Sequence, residues 1–106
     1  MDIKEIIEAV ARHYNTSVSG ILFSIRDDKI IKARQVAIYL ASSCTTASLL
    51  EIAKAFNRTH ATVYFAERKV FERMAEDDVF RSEVEQLQWQ LESAERPKTA
   101  VSMPAR

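Results

Sequence analysis

A chain of 106 residues with 47% apolar side chains holds one domain around one small core, and it is too apolar to be wholly disordered. Lysine plus arginine equals aspartate plus glutamate at 15 each, so nucleic-acid contact has to rest on how charge is distributed and not on a basic excess. A single cysteine, Cys44, excludes an internal disulfide and reads as a buried free thiol, and a single glycine, Gly20, excludes a glycine-rich phosphate loop.

In chain order, Asp2 is placed to cap a helix from Ile3 to about Tyr14, striped by Ile3, Ile7, Val10 and Tyr14 with Ile6 at the margin. Residues 15–20 (NTSVSG) read as a polar break. Ile21-Leu22-Phe23 reads as a helical turn packed under the next element, and residues 24–29 (SIRDDK) as an exposed loop. From Ile30 to about Ser43 apolar residues go most of the way round a helix, which is expected to be central and buried. Thr45 or Thr46 is placed to cap a helix beginning near Ser48, with Glu51 as a capping-box partner.

Leu49, Ile52, Ala53 and Phe56 then repeat at helical spacing, Asn57-Arg58 interrupts them, and Val63, Ala66, Val70 and Met74 resume the repeat. That pattern is a helix-turn-helix. Tyr64 lies at the edge of the second apolar face and is expected in the core. Phe65 points away from that face, toward the central helix or toward solvent. Ala75-Glu76-Asp77 marks a turn, and Asp77 or Asp78 caps a last helix to about Ala94, striped by Phe80, Val84, Leu87 and Leu91. Trp89 projects from the opposite side of that helix, a candidate interface for a homo-oligomer or a protein partner. Arg96 to Arg106, with two prolines, reads as a disordered tail. The expected architecture is all-α: about six helices with a central buried helix and a helix-turn-helix, a domain over 1–95 and a tail over 96–106.

A helix-turn-helix offers the start of its second helix to the major groove, here Thr59, His60, Ala61 and Thr62. Arg26, Lys29, Lys32, Arg34, Lys54, Arg58, Arg68 and Lys69 are the nearby basic residues, while acidic residues crowd both ends of the chain, so a polarised molecule is expected. DNA reading requires Arg26, Lys32, Arg34, Arg58 and Arg68 to share a face with His60. His13 and His60 fall on separate helices with no recognisable nucleophile motif between them. No enzyme, cofactor or metal site is expected. No apolar run is long enough to span a bilayer and no signal peptide is apparent, so a cytoplasmic, nucleoid-associated protein is expected.

The runs ARQVAIYL (33–40), TTASLLEIAKAFN (45–57), THATV (59–63) and AERKV (66–70) resemble the C-terminal DNA-binding domain of the bacterial replication initiator DnaA, in the same order and at nearly the same spacing over residues 3–92. The resemblance implies that the domain binds duplex DNA, with base readout by Arg26 in the minor groove and by His60 and Ala61 in the major groove. It further implies phosphate contacts by Lys32, Arg34, Gln35, Thr45, Arg58, Thr59 and Thr62.

Departures from the family pattern are part of the expectation. Thr59 stands for an aspartate, Ala61 for a base-reading threonine, and FGGRD is contracted by one residue to Phe56-Asn57-Arg58-Thr59. Asp27 and Asp28 stand in a loop that is basic in the family. The family's nucleotide-binding domain has no counterpart in this sequence. Two functions follow from these residues: a DNA-binding regulator of replication or transcription without ATPase activity, or a protein-interaction module on the same fold.

Overall fold

The structure, a computed structural model, describes residues 1–23 and 27–95, without the side chain of Glu95. Among them every regular element is helical: α1 (Ile3–His13), α2 (Val18–Leu22), α3 (Asp28–Cys44), α4 (Leu49–Phe56), α5 (His60–Glu76) and α6 (Asp78–Glu95). The expected tail lies outside the described residues, as does Arg26 with its two preceding neighbours.

Each helix begins where a short polar side chain satisfies its free amides. Asp2 accepts from the Glu5 amide while Glu5 reaches back to the Asp2 amide, closing a capping box on α1. The α1 stripe is centred differently from expectation. Ile6 is fully buried and Ile3 only partly, because α1 packs against both α3 and α6 and so buries a wider arc than one row.

The expected break at residues 15–20 is half helix. Ser17 accepts from the Gly20 amide at 2.9 Å and starts α2 at Val18, which puts Gly20 inside the helix. A Cβ on Gly20 would lie 3.1 Å from Ser17 Oγ and 3.2 Å from Thr16 Oγ1, so the glycine allows a close approach and does not interrupt the chain. Phe23 is not packed under α3 but 64% exposed, since it already adopts extended backbone as the C-cap.

Helix α3 starts two residues before Ile30. Asp27 accepts from the Lys29 and Ile30 amides, and that cap draws Asp28 and Lys29 into the helix. Ala33, Val36, Ala37, Leu40 and Ala41 are fully buried, and α3 packs against all five other helices. It is the central helix the apolar pattern implies. At its end Thr45 donates to Ala41 O at 2.6 Å and accepts from the Ala47 amide at 3.0 Å. Ser48 and Glu51, not Thr45 or Thr46, cap α4.

Ile52, Ala53 and Phe56 of α4 join Val63, Ala66 and Val70 of α5 and the α6 stripe of Phe80, Val84, Leu87 and Leu91 in one core. Leu49, expected on the α4 stripe, is 40% exposed in the first turn. Helix α5 continues through Ala75 and Glu76, and Asp77 alone makes the turn, accepting from the Phe80 amide to start α6. Cys44 is free and half-buried. Burial, with Glu92 nearby, pushes its thiol up to about 11, which keeps it a neutral packing group.

Candidate nucleic-acid interface

The turn between α4 and α5 takes three residues, Asn57, Arg58 and Thr59. Asn57 alone takes the left-handed conformation (φ 54°, ψ 48°), and its amide and that of Arg58 return to carbonyls of the last α4 turn. Asparagine tolerates this backbone better than other non-glycine residues.

Thr59 follows in extended backbone and caps α5. Its Oγ1 accepts from the Thr62 amide at 3.2 Å and lies 3.0 Å from Thr62 Oγ1. Capping is therefore a role the structure gives Thr59 directly. Thr59→Ala is expected to lower stability by about 1 kcal/mol. Thr59→Asp should restore it, because a carboxylate also suits the positive end of the helix. Thermal melting of the two variants checks this; equal melting of Thr59→Ala and the parent would reject it.

His60, Ala61 and Thr62 are all exposed, while Val63 is fully buried and anchors the turn. The first turn of α5 carries no acidic residue, in contrast to those of α1, α3, α4 and α6. Its amide end is therefore suited to anions. An open cleft runs beside it, lined by Leu50, Lys54 and Asn57 together with Arg58, Thr59, His60 and Ala61. Lys54 is brought there by α4, a placement that its position in the sequence does not reveal without the angle between the helices. The expected polarity is realised only in part, since the cleft beside His60 carries Lys54 and Arg58 while the one at the far end of α5 mixes carboxylates with Lys69 and Arg73. The far end of α5 meets α6 in a cleft holding Glu72, Glu76, Asp77 and Asp78, about 25 Å along the helix from His60.

Not all the expected phosphate-binding residues join this site. Gln35 lines that far cleft instead, among Glu72, Glu76, Asp77 and Asp78 with Lys69 and Arg73. Lys32 lies among α1, α3 and α6, 3.9 Å from Glu83 and over the rings of Tyr14 and Phe80. The Tyr14 hydroxyl there is buried, and burial and the neighbouring Glu83 carboxylate push its pKa up. The Thr45 hydroxyl is engaged at the end of α3 both as donor and as acceptor.

Arg34 is the largest correction. Its head does not reach water: the residue is 9% exposed and donates from Nε to Ile21 O at 2.6 Å and from Nη2 to Gly20 O at 3.2 Å and Phe23 O at 2.5 Å. Burial, and then the charge of Arg58, lower its pKa from an arginine's usual value. The expected single basic face thus reduces, among the described residues, to Arg58 with Lys54 beside His60, while Arg68 lies farther along α5, hydrogen-bonded to Tyr64 and Glu72.

The exposed aromatic residues also depart in part from expectation. Tyr64 is 55% exposed and not core; it sits on the side of α5 that faces Arg68, whose guanidinium lies 6.0 Å from its ring. Phe65 is exposed, the second of its two expected placements, and Trp89 projects from α6 as expected.

Comparison with known proteins adds to this geometry. The family described as "Bacterial dnaA protein helix-turn-helix" matches residues 3–70. The chain is 44% identical over 86 residues to the chromosomal replication initiator protein DnaA of Bartonella quintana (strain Toulouse), covering 80% of this chain and 17% of that protein. It is 44% identical over 91 residues to the same initiator of Rhodopseudomonas palustris (strain BisB18), covering 85% of this chain and 19% of that one. A crystal structure of a DNA replication initiation factor superposes with a TM-score of 0.76 at 38% identity, over 83% of this chain and 27% of that chain. The chain spans less than a fifth of the length of those curated relatives.

Proposed function

The chain belongs to the bacterial DnaA helix-turn-helix family, and on that premise we propose that it binds duplex DNA sequence-specifically through the start of α5. By occupying its sites it regulates replication or transcription in the cytoplasm. The observation that carries this reading is the exposed, acid-free first turn of α5, capped by Thr59 and flanked by Lys54 and Arg58 on a rigid turn. His60 and Ala61 are proposed to contact base edges. Arg58, Thr59 and Thr62 are proposed to contact phosphates, and Arg26, outside the described residues, is proposed for the minor groove. Lys32, Gln35, Arg34 and Thr45 lie away from this cleft and are not proposed as phosphate ligands.

The two kinds of contact separate by mutation. Arg58→Ala is expected to weaken binding to all duplexes alike and reduce the salt dependence by about one released counterion. His60→Ala is expected instead to lower the preference for a selected duplex over a scrambled one by roughly 1–3 kcal/mol. Titration of both duplexes at several salt concentrations decides. If the parent protein shows no salt-dependent binding to either, the DNA reading fails and the alternative takes its place: a protein-interaction module, for which Trp89, 64% exposed, is the surface to test.

A further inference from the structure

The buried face of α5 is set by Val63, Ala66 and Val70. At about 100° per residue, the line directly opposite passes through Ala61, Phe65 and Arg68. Phe65 is 62% exposed there, beside Tyr64, Arg68 and Glu72 and with the Lys69 ammonium 5.8 Å from its ring. A phenyl group in that position adds nothing to the core and gains burial only when an apolar group covers it. Ala61, one turn earlier on the same line, likewise offers a methyl group and no hydrogen bond.

Among the groups that base pairs display in the major groove, the thymine 5-methyl is the apolar one. Resting on the DNA-binding reading above, we propose that Phe65 is a base-contacting residue and that the outward line of α5 recognises thymines through their 5-methyl groups, Ala61 meeting one and Phe65 another. The two side chains are about 6 Å apart along the helix axis. At ~3.4 Å per base step, the methyl groups they meet lie about two base steps apart. Specificity on this line comes from apolar complementarity, with Lys69 beside Phe65 supplying charge.

The experiment uses the full chain and a duplex selected from random DNA, with each thymine replaced in turn by deoxyuridine, which removes the methyl and nothing else. Two positions about two base pairs apart are expected to weaken binding about fourfold each, the equivalent of ~0.8 kcal/mol for one buried methyl-sized group. Phe65→Ala should lose the discrimination at one of these positions and keep it at the other, with unchanged thermal melting, since Phe65 lies outside the core. Specific binding that is indifferent to deoxyuridine at every position overturns the methyl reading and leaves the DNA reading standing. Discrimination at both positions that survives Phe65→Ala overturns the role of Phe65. Absence of salt-dependent binding in the parent protein overturns the DNA reading and this inference with it.

Discussion

Arg34→Ala is expected to destabilise the domain by roughly 3–4 kcal/mol, a large fraction of the ~5–15 kcal/mol that holds a small domain folded. The reason is the length of α2. A helix of five residues is not stable alone, and its last carbonyls have no partners within the helix. Ser19 O is satisfied by the Phe23 amide, and Gly20, Ile21 and Phe23 O by the Arg34 guanidinium. Removing the side chain orphans three carbonyls at once, and no hydrophobic replacement can compensate, because the acceptors are backbone.

Arg34→Met, which keeps the stem and removes the donors, should therefore be nearly as unstable as Arg34→Ala. Arg34→Lys should recover only part of the loss, since an ammonium cannot reproduce the planar fork. Urea unfolding followed by circular dichroism measures all three. Parent-like stability of Arg34→Met would remove the hydrogen-bond account. Loss of DNA binding in these variants is expected to track unfolding and to be the same for every sequence.

Phe56→Ala is expected to lower stability by about 3–5 kcal/mol, the usual range for a fully buried aromatic residue, which is roughly 15–30 °C in melting temperature for a domain of this size. Phe56 is 0% exposed and ends α4 immediately before the left-handed Asn57, so it sets where the turn begins as well as filling the core. Phe56→Leu should lose much less, because it conserves most of the volume. Differential scanning calorimetry of the pair tests the packing account; a small loss in Phe56→Ala would mean that the α4–α5 corner is held by its backbone hydrogen bonds and not by this side chain.

Where one interaction dominates, the sequence was a reliable guide. The α6 stripe of Phe80, Val84, Leu87 and Leu91 is buried as its spacing implies, and the nearly all-round apolar pattern of 30–43 does mark the central helix. The helix-turn-helix was legible for the same reason, two periodic runs separated by a residue suited to the left-handed region. The misreadings fall where local and tertiary preferences compete. Gly20 looked like a break because glycine weakens isolated helices, yet Ser17 caps the helix and Arg34 closes its end. Tyr64 lies at the edge of a periodic face, where a small change in helix direction decides between protein and water, and Leu49 is the first residue of α4, at the rim of the fold; both are exposed.

The candidate site divides along the same line. Exposure of His60, Ala61 and Thr62, the Thr59 cap and the membership of Val63 in the core follow from residues adjacent in the chain, and the sequence by itself determined them. Which cations belong to the site depends on where each helix points its flank. Long charged side chains take whatever partner the packed helices bring near, and those partners are remote in sequence. Only the tertiary structure placed Lys32 beside Glu83, Gln35 among the carboxylates of α5 and α6, and the Arg34 guanidinium against the end of α2, leaving Lys54 and Arg58 as the cations lining the cleft beside His60.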